Sequence, residues 1–197
     1  MRVLGLDLST KSGYAVIEDG QLIGDQFGVI RIPAVTTHRL EDMNLLLRSR
    51  QMATELDKLI LKYRPDFIYV EQTNRGRARG TQKQLEFIHY AFLYECAENL
   101  GVADTVRYID TSRWRSELKI WLSGDQRKHN KLVKNKLARG KITAKHLAVA
   151  WTNQTYGLAL KLKDNDIADA ICIAHCGYAI AIKRGSIESL DSALFPK

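Results

Sequence analysis

The chain has 197 residues, 45% hydrophobic and 26% charged, which suits one globular domain with a substantial core and excludes a low-complexity or fibrous protein. No run approaches the roughly 18 apolar residues of a membrane span, because Asp169 and His175 interrupt the longest candidate. The net charge of +8 is concentrated between Arg113 and Lys145, where eleven Lys or Arg stand against two acids, Glu117 and Asp125; such a segment points to a polyanion, most often nucleic acid.

Three strand-like runs open the chain: RVLGLDLS, GYAVIEDG and QLIGDQFGVI, the last two joined through the Asp19-Gly20 turn signal. The opening MRVLGLDLST has neither a hydrophobic signal core nor a cleavage site, so a cytoplasmic protein is expected. Residues 31–40 read as a loop around Pro33. Leu45, Met52, Leu56, Leu59 and Ile60 fall at three- and four-residue steps, which predicts an amphipathic helix over Glu41–Tyr63, stopped at Arg64-Pro65. FIYVE is a short buried strand ending in Glu71. Beyond the polar QTNRGRARGTQ, a helix is expected from Thr81 to Asn99, closed by Gly101.

TVRYID is a fifth strand, and Thr111 is placed to cap a helix running to Ser123-Gly124. The basic stretch at about 125–140, DQRKHNKLVKNKLARGK, reads as an exposed arm or a poorly ordered loop. TAKHLAVAWTNQTYG is a helix ending at Gly157, and Asp164 or Asn165 caps a last helix to about Lys183. Cys96, Cys172 and Cys176 sit in apolar contexts without a CxxC pair, which argues against disulfides and zinc. Three strands, then helix–strand–helix–strand–helix, is a mixed α/β order: an antiparallel meander continued by crossover strands.

Four acids occupy positions that a solvated surface explains badly. Asp7 lies among Leu4, Leu6 and Leu8 near the end of the first strand, and Glu71 ends an apolar strand. Ligand sites in α/β sheets gather where strands end, so adjacent strands can present both carboxylates together. Asp166 and Asp169, three apart, share a face of the last helix. Each alone can be a cap or a salt-bridge partner. Together, in a chain with a concentrated basic segment, metal binding is the stronger reading. Oxygen-only ligands suit Mg²⁺ or Mn²⁺. Two such ions about 3.5–4 Å apart form the clamp used for attack of water on a phosphodiester.

GLDLSTKSGYAVI, YVEQ and DNDIADAICIA resemble the three acidic motifs of RuvC-type Holliday junction resolvases, in the ribonuclease H-like superfamily, and are more similar to the phage-type members. The resemblance extends over about residues 1–183. It implies an α/β ribonuclease H-like fold, a mixed five-stranded sheet with helices on both faces. It further implies Asp7, Glu71, Asp166 and Asp169 as ligands of two Mg²⁺ ions, with Mn²⁺ able to substitute. The implied activity is resolution of four-way or branched DNA by a homodimer, in the host cytoplasm if the chain is phage-encoded.

By the same resemblance TSRWRSELKIWLSG aligns Lys119 with a lysine that resolvases carry before a glycine. GKITAKHLAVAW aligns Lys145 as a catalytic lysine, with Lys141 as the near alternative. A lysine near the scissile phosphate would offset developing negative charge. The loop after Glu71 lacks the aromatic residue that resolvases often wedge into the junction; Arg75, Arg77 and Arg79 stand there instead and are expected to contact phosphates. Lys83, Arg113 and Arg115 complete the candidate DNA contacts. Other readings compete with a junction resolvase. One is a related nuclease acting on flaps, RNA–DNA hybrids or precursor RNA, and another a non-catalytic junction-binding protein. A third, an actin-like kinase or ATPase, is opposed by the chain's length and by the lack of a Gly-rich adenosine-binding segment.

Overall fold

Alternation in the first strand decides most of the architecture. In the computed structural model, which describes residues 1–73 and 79–194 with side chains to residue 184, β1 spans Arg2–Asp7. Leu4 and Leu6 point to one face of the sheet, Val3, Gly5 and Asp7 to the other. β2 (Lys11–Glu18) pairs antiparallel with β1, and β3 (Gln21–Arg31) with β2. Asp19 and Gly20 both adopt positive φ in the hairpin, as a two-residue turn matched to strand twist requires. β4 (Phe67–Glu71) lies parallel to β1, and β5 (Val106–Ile109) parallel to β4, giving the order β3-β2-β1-β4-β5.

Helices cover both faces. α1 (Glu41–Tyr63) and α2 (Arg79–Tyr94) pack Met52, Leu56, Ile60, Ile88 and Phe92 against Leu4, Leu6, Ile68 and Val70. α2 begins two residues before its expected start and continues as a π turn over Glu95–Asn99. On the opposite face lie α3 (Thr111–Glu117), α5 (Ala144–Tyr156) and α6 (Asn165–Leu194), around Val3, Tyr69, Trp114 and Ile173. Among the described residues no helix is long and apolar enough to cross a membrane.

The structure revises four expectations between β5 and α6. α3 stops at Glu117 rather than near Ser123, because Lys119 turns to φ 56° and lets Ile120 fold back into the core. Thr111 does not cap it: Asp110 holds the N-cap position, and the Thr111 hydroxyl donates to Glu71. Part of the basic segment is helical, as α4 (Gly124–Lys134). α4 buries no residue and starts from a capping box between Ser123 and Gln126. Asp164 accepts from the Lys161 amide within a 3₁₀ turn, Leu162–Asp164, just ahead of α6.

α6 crosses β1 and β2 at very close range, and glycines make that possible. A Cβ at Gly5 would lie 2.4 Å from the Ala174 amide nitrogen, and one at Gly13 only 1.9 Å from the Asp166 carbonyl oxygen. Neither neighbour is a flexible side-chain end, so the helix itself would have to shift. We therefore expect Gly13→Ala to cost about 1–3 kcal/mol in urea unfolding, the usual range for overpacking. Because the clash is with the Asp166 backbone, the start of α6 should be displaced first.

Candidate active site

Period-two alternation sends Asp7 to the face covered by α6, two residues beyond Gly5. Glu71, two beyond Tyr69 on parallel β4, follows to the same face. α6 begins at the C-terminal ends of these strands, where Gly13, the partner of Asp7 in the β1–β2 ladder, touches the Asp166 backbone. The four expected carboxylates thus meet at one sheet end, supplied by three separated segments of chain.

The electrostatics record that proximity. Burial pushes the Asp7 carboxyl well above its ordinary value, and Glu71, Asp169 and Asp166 push it further, with Lys145 opposing. Asp169 is 6% exposed and is pushed up to about 7, first by burial and then by Glu71, with Arg115 and Lys145 opposing. Asp169 Oδ1 is buried without a hydrogen-bond partner among the described residues. Anionic groups crowded in a poorly solvated site raise one another's proton affinity unless a cation intervenes.

Two cations and a hydroxyl already answer part of that charge. Lys11 Nζ pairs with Asp166, Thr111 donates to Glu71, and Lys145 Nζ donates to Asn165 Oδ1 beside Asp166. Asp166 therefore turns toward Lys11. Among the described residues no group of three or more His, Cys, Asp or Glu is drawn tightly enough to enclose an ion as the side chains stand. The donor set nonetheless fits hard divalent cations: all oxygens, with a buried unpartnered Asp169 Oδ1 available to one.

The expected basic residues divide by place. Lys145 and Arg115 face the carboxylates. Lys119, in its left-handed turn, and Lys141 are exposed, and neither is among the charges that perturb Asp7 or Asp169. Lys83 pairs with Asp42 of α1 at 2.5 Å, beside a groove between α1 and α2. Arg113 faces Tyr69 and Arg184 on the other side of α3. Arg79 is exposed at the start of α2, whereas Arg75 and Arg77 lie outside the described residues. Lys11 was not singled out by sequence and Thr111 was read only as a helix cap, although each follows the end of a strand where the acids also gather.

No protein-family model matches the chain, and no curated protein matches its sequence. Its fold does match solved structures. Thermus thermophilus RuvC in complex with a Holliday junction substrate aligns over 94% of this chain and 96% of its own, with a TM-score of 0.60 and 16% identity. Thermus thermophilus RuvC solved separately aligns over 94% and 97%, with a TM-score of 0.61 and 18% identity. The chain has the RuvC-like, ribonuclease H-like α/β fold expected from its motifs.

Proposed function

We propose that this protein is a Mg²⁺-dependent DNA endonuclease that resolves four-way or branched junctions. The observation that carries this reading is the meeting of Asp7, Glu71, Asp166 and Asp169 at one end of the sheet, where burial first and the neighbouring carboxylates second push the Asp7 and Asp169 carboxyls up. The four side chains would hold two Mg²⁺ ions, for which Mn²⁺ would substitute; bound there, the ions would supply activation of water and charge neutralisation at the scissile phosphate. The chain's own residues position that chemistry. Asp7 and Glu71 approach from strand ends, Asp166 from the first turn of α6 and Asp169 from the turn that follows. Lys145 and Arg115 add positive charge where the transition state gathers negative charge.

The nuclease forms one domain, its basic segment from Arg113 to Lys145 gripping the DNA backbone, and it works in the cytoplasm. Branched DNA is favoured as substrate because the fold is shared with a protein solved on a Holliday junction. Parallel cleavage assays on a four-way junction, a flap, linear duplex and an RNA–DNA hybrid test the choice. The junction should be cut fastest, at paired positions on opposing strands. Faster cleavage of the hybrid or flap would replace the substrate assignment while keeping the chemistry.

Paired cuts need two active sites, and a second copy of the chain supplies the other. The groove between α1 and α2 exposes Tyr90 at 70% and Tyr94 at 62%, with Leu46 and Phe87 beside them, a surface suited to a two-fold partner. Tyr90→Glu with Tyr94→Glu should halve the mass measured by light scattering and turn paired incision into single nicks. An unchanged mass would place the interface elsewhere.

A further inference from the structure

A second cationic feature lies on the β5 edge of the sheet. Tyr69 of β4 stands opposite Arg107 of β5, so the two side chains share the face covered by α6. The Tyr69 ring is pressed against α6, where a Cβ at Gly177 would lie 2.4 Å from it, and only 4% of the residue is exposed. Around it Arg107, Arg113 of α3, and Ile180 and Arg184 of α6 line a small notch. All three guanidinium groups oppose the upward shift that burial imposes on the Tyr69 phenol, so all three lie close to that one side chain.

Among the described residues these arginines are poorly compensated. Among the described residues none of the three forms a salt bridge. Arg107 gives its hydrogen bonds to the carbonyls of Asp104 and Val106. The acid near Arg113 is Glu117, and it is paired with Lys183. Three forked donors of one sign, gathered beside a buried phenol, repel one another unless an anion joins them, and their planar geometry suits phosphate oxygens. Arg184 is four turns beyond Asp169, roughly 20 Å along α6, so this end of the notch lies well away from the Asp169 carboxylate.

We propose that this notch binds a backbone phosphate of the nucleic acid, anchoring a stretch of DNA away from the point of incision. The proposal rests on the nuclease reading for its ligand, but not for its site. The same chemistry admits free phosphate, and the test separates the two. Arg107→Gln with Arg113→Gln is compared with wild type and with a charge-matched control, Arg39→Gln with Lys62→Gln. Four-way junction binding is titrated in EDTA, where no cleavage occurs, across a range of KCl concentrations. The notch variant should bind about 10-fold or more weakly, with its log–log salt slope reduced by about 2, while the control changes little. In parallel, inorganic phosphate should raise the melting temperature of the wild type above that in chloride of equal ionic strength, and the variant should lose that rise. Loss of the phosphate effect with an unchanged salt slope would make the site one for free phosphate and overturn the DNA anchor. No difference in either arm would overturn the site altogether. Failure of the wild type to cut junctions would instead count against the nuclease reading, leaving the phosphate arm to decide the notch.

Discussion

Asp7→Asn and Glu71→Gln should each abolish the proposed Mg²⁺-dependent cleavage of a four-way junction while leaving junction binding in EDTA within a few-fold of wild type. Both substitutions keep the size of the side chain, remove its charge and replace one acceptor oxygen with an NH2 donor. Because losing even an outer partner of a metal ligand costs about 10–100-fold, losing a ligand outright should cost more than about 100-fold in rate. Asp7 shares its face of β1 with Val3 and Gly5, both closely covered, so the amide has no other role to fill there. A single-turnover assay with matched protein concentrations checks the rate, and a gel-shift titration checks the binding. Full activity in either variant would remove the metal site from the account.

The second large effect runs opposite to ordinary intuition: Asp169→Asn should stabilise the metal-free protein. Burial and Glu71 raise the folded-state pKa of Asp169 from 3.8 to about 7. A carboxyl raised on folding binds more protons in the native state, so its contribution turns progressively unfavourable as pH rises from about 4 to 7. It then stays unfavourable above that window. A displacement of this size corresponds to at most roughly 4 kcal/mol at pH about 8. Part of it is relieved by Arg115 and Lys145, both of which lower the pKa. Asn at this position removes the penalty, and thermal unfolding in EDTA at pH about 8 should rise by about 5 °C or more for a chain of this size. Saturating Mg²⁺ should raise the wild-type midpoint and move the variant's much less. A lower midpoint for Asp169→Asn in EDTA would mean that the carboxylate is structurally compensated rather than held for a cation.

How much of this was legible in the sequence follows from which interactions are local. The strands and both long helices of the α1–α2 layer came through as periodicity, since each buries a regular face. Asp7 and Glu71 stood out because a carboxylate ending an apolar strand has few innocent explanations, and Asp166 and Asp169 because three-residue spacing on a helix fixes a shared face. The pairing of Lys11 with Asp166 spans 155 positions and leaves no local trace. The choice between Arg115 and Lys119 was equally invisible. It depends on Trp114, fully buried, setting the phase of α3, and on the left-handed turn at Lys119 that ends the helix early. α4 was missed for the opposite reason: it buries nothing, so no hydrophobic pattern announces it, and only its capping box signals the start. Asp164, one of three crowded aspartates, capped a turn rather than the helix, because the chain makes one 3₁₀ turn before α6 begins.

Carboxylates from β1, β4 and α6 are expected to come together around divalent cations. Anomalous scattering from crystals soaked in Mn²⁺ tests it most directly, because Mn²⁺ is visible where Mg²⁺ is not. Two peaks about 3.5–4 Å apart are expected, bounded by Asp7, Glu71, Asp166 and Asp169, with Asp166 released from Lys11. Fully occupied Mn²⁺ elsewhere on the molecule, with Asp166 still paired to Lys11 and no peak among the four acids, would contradict it.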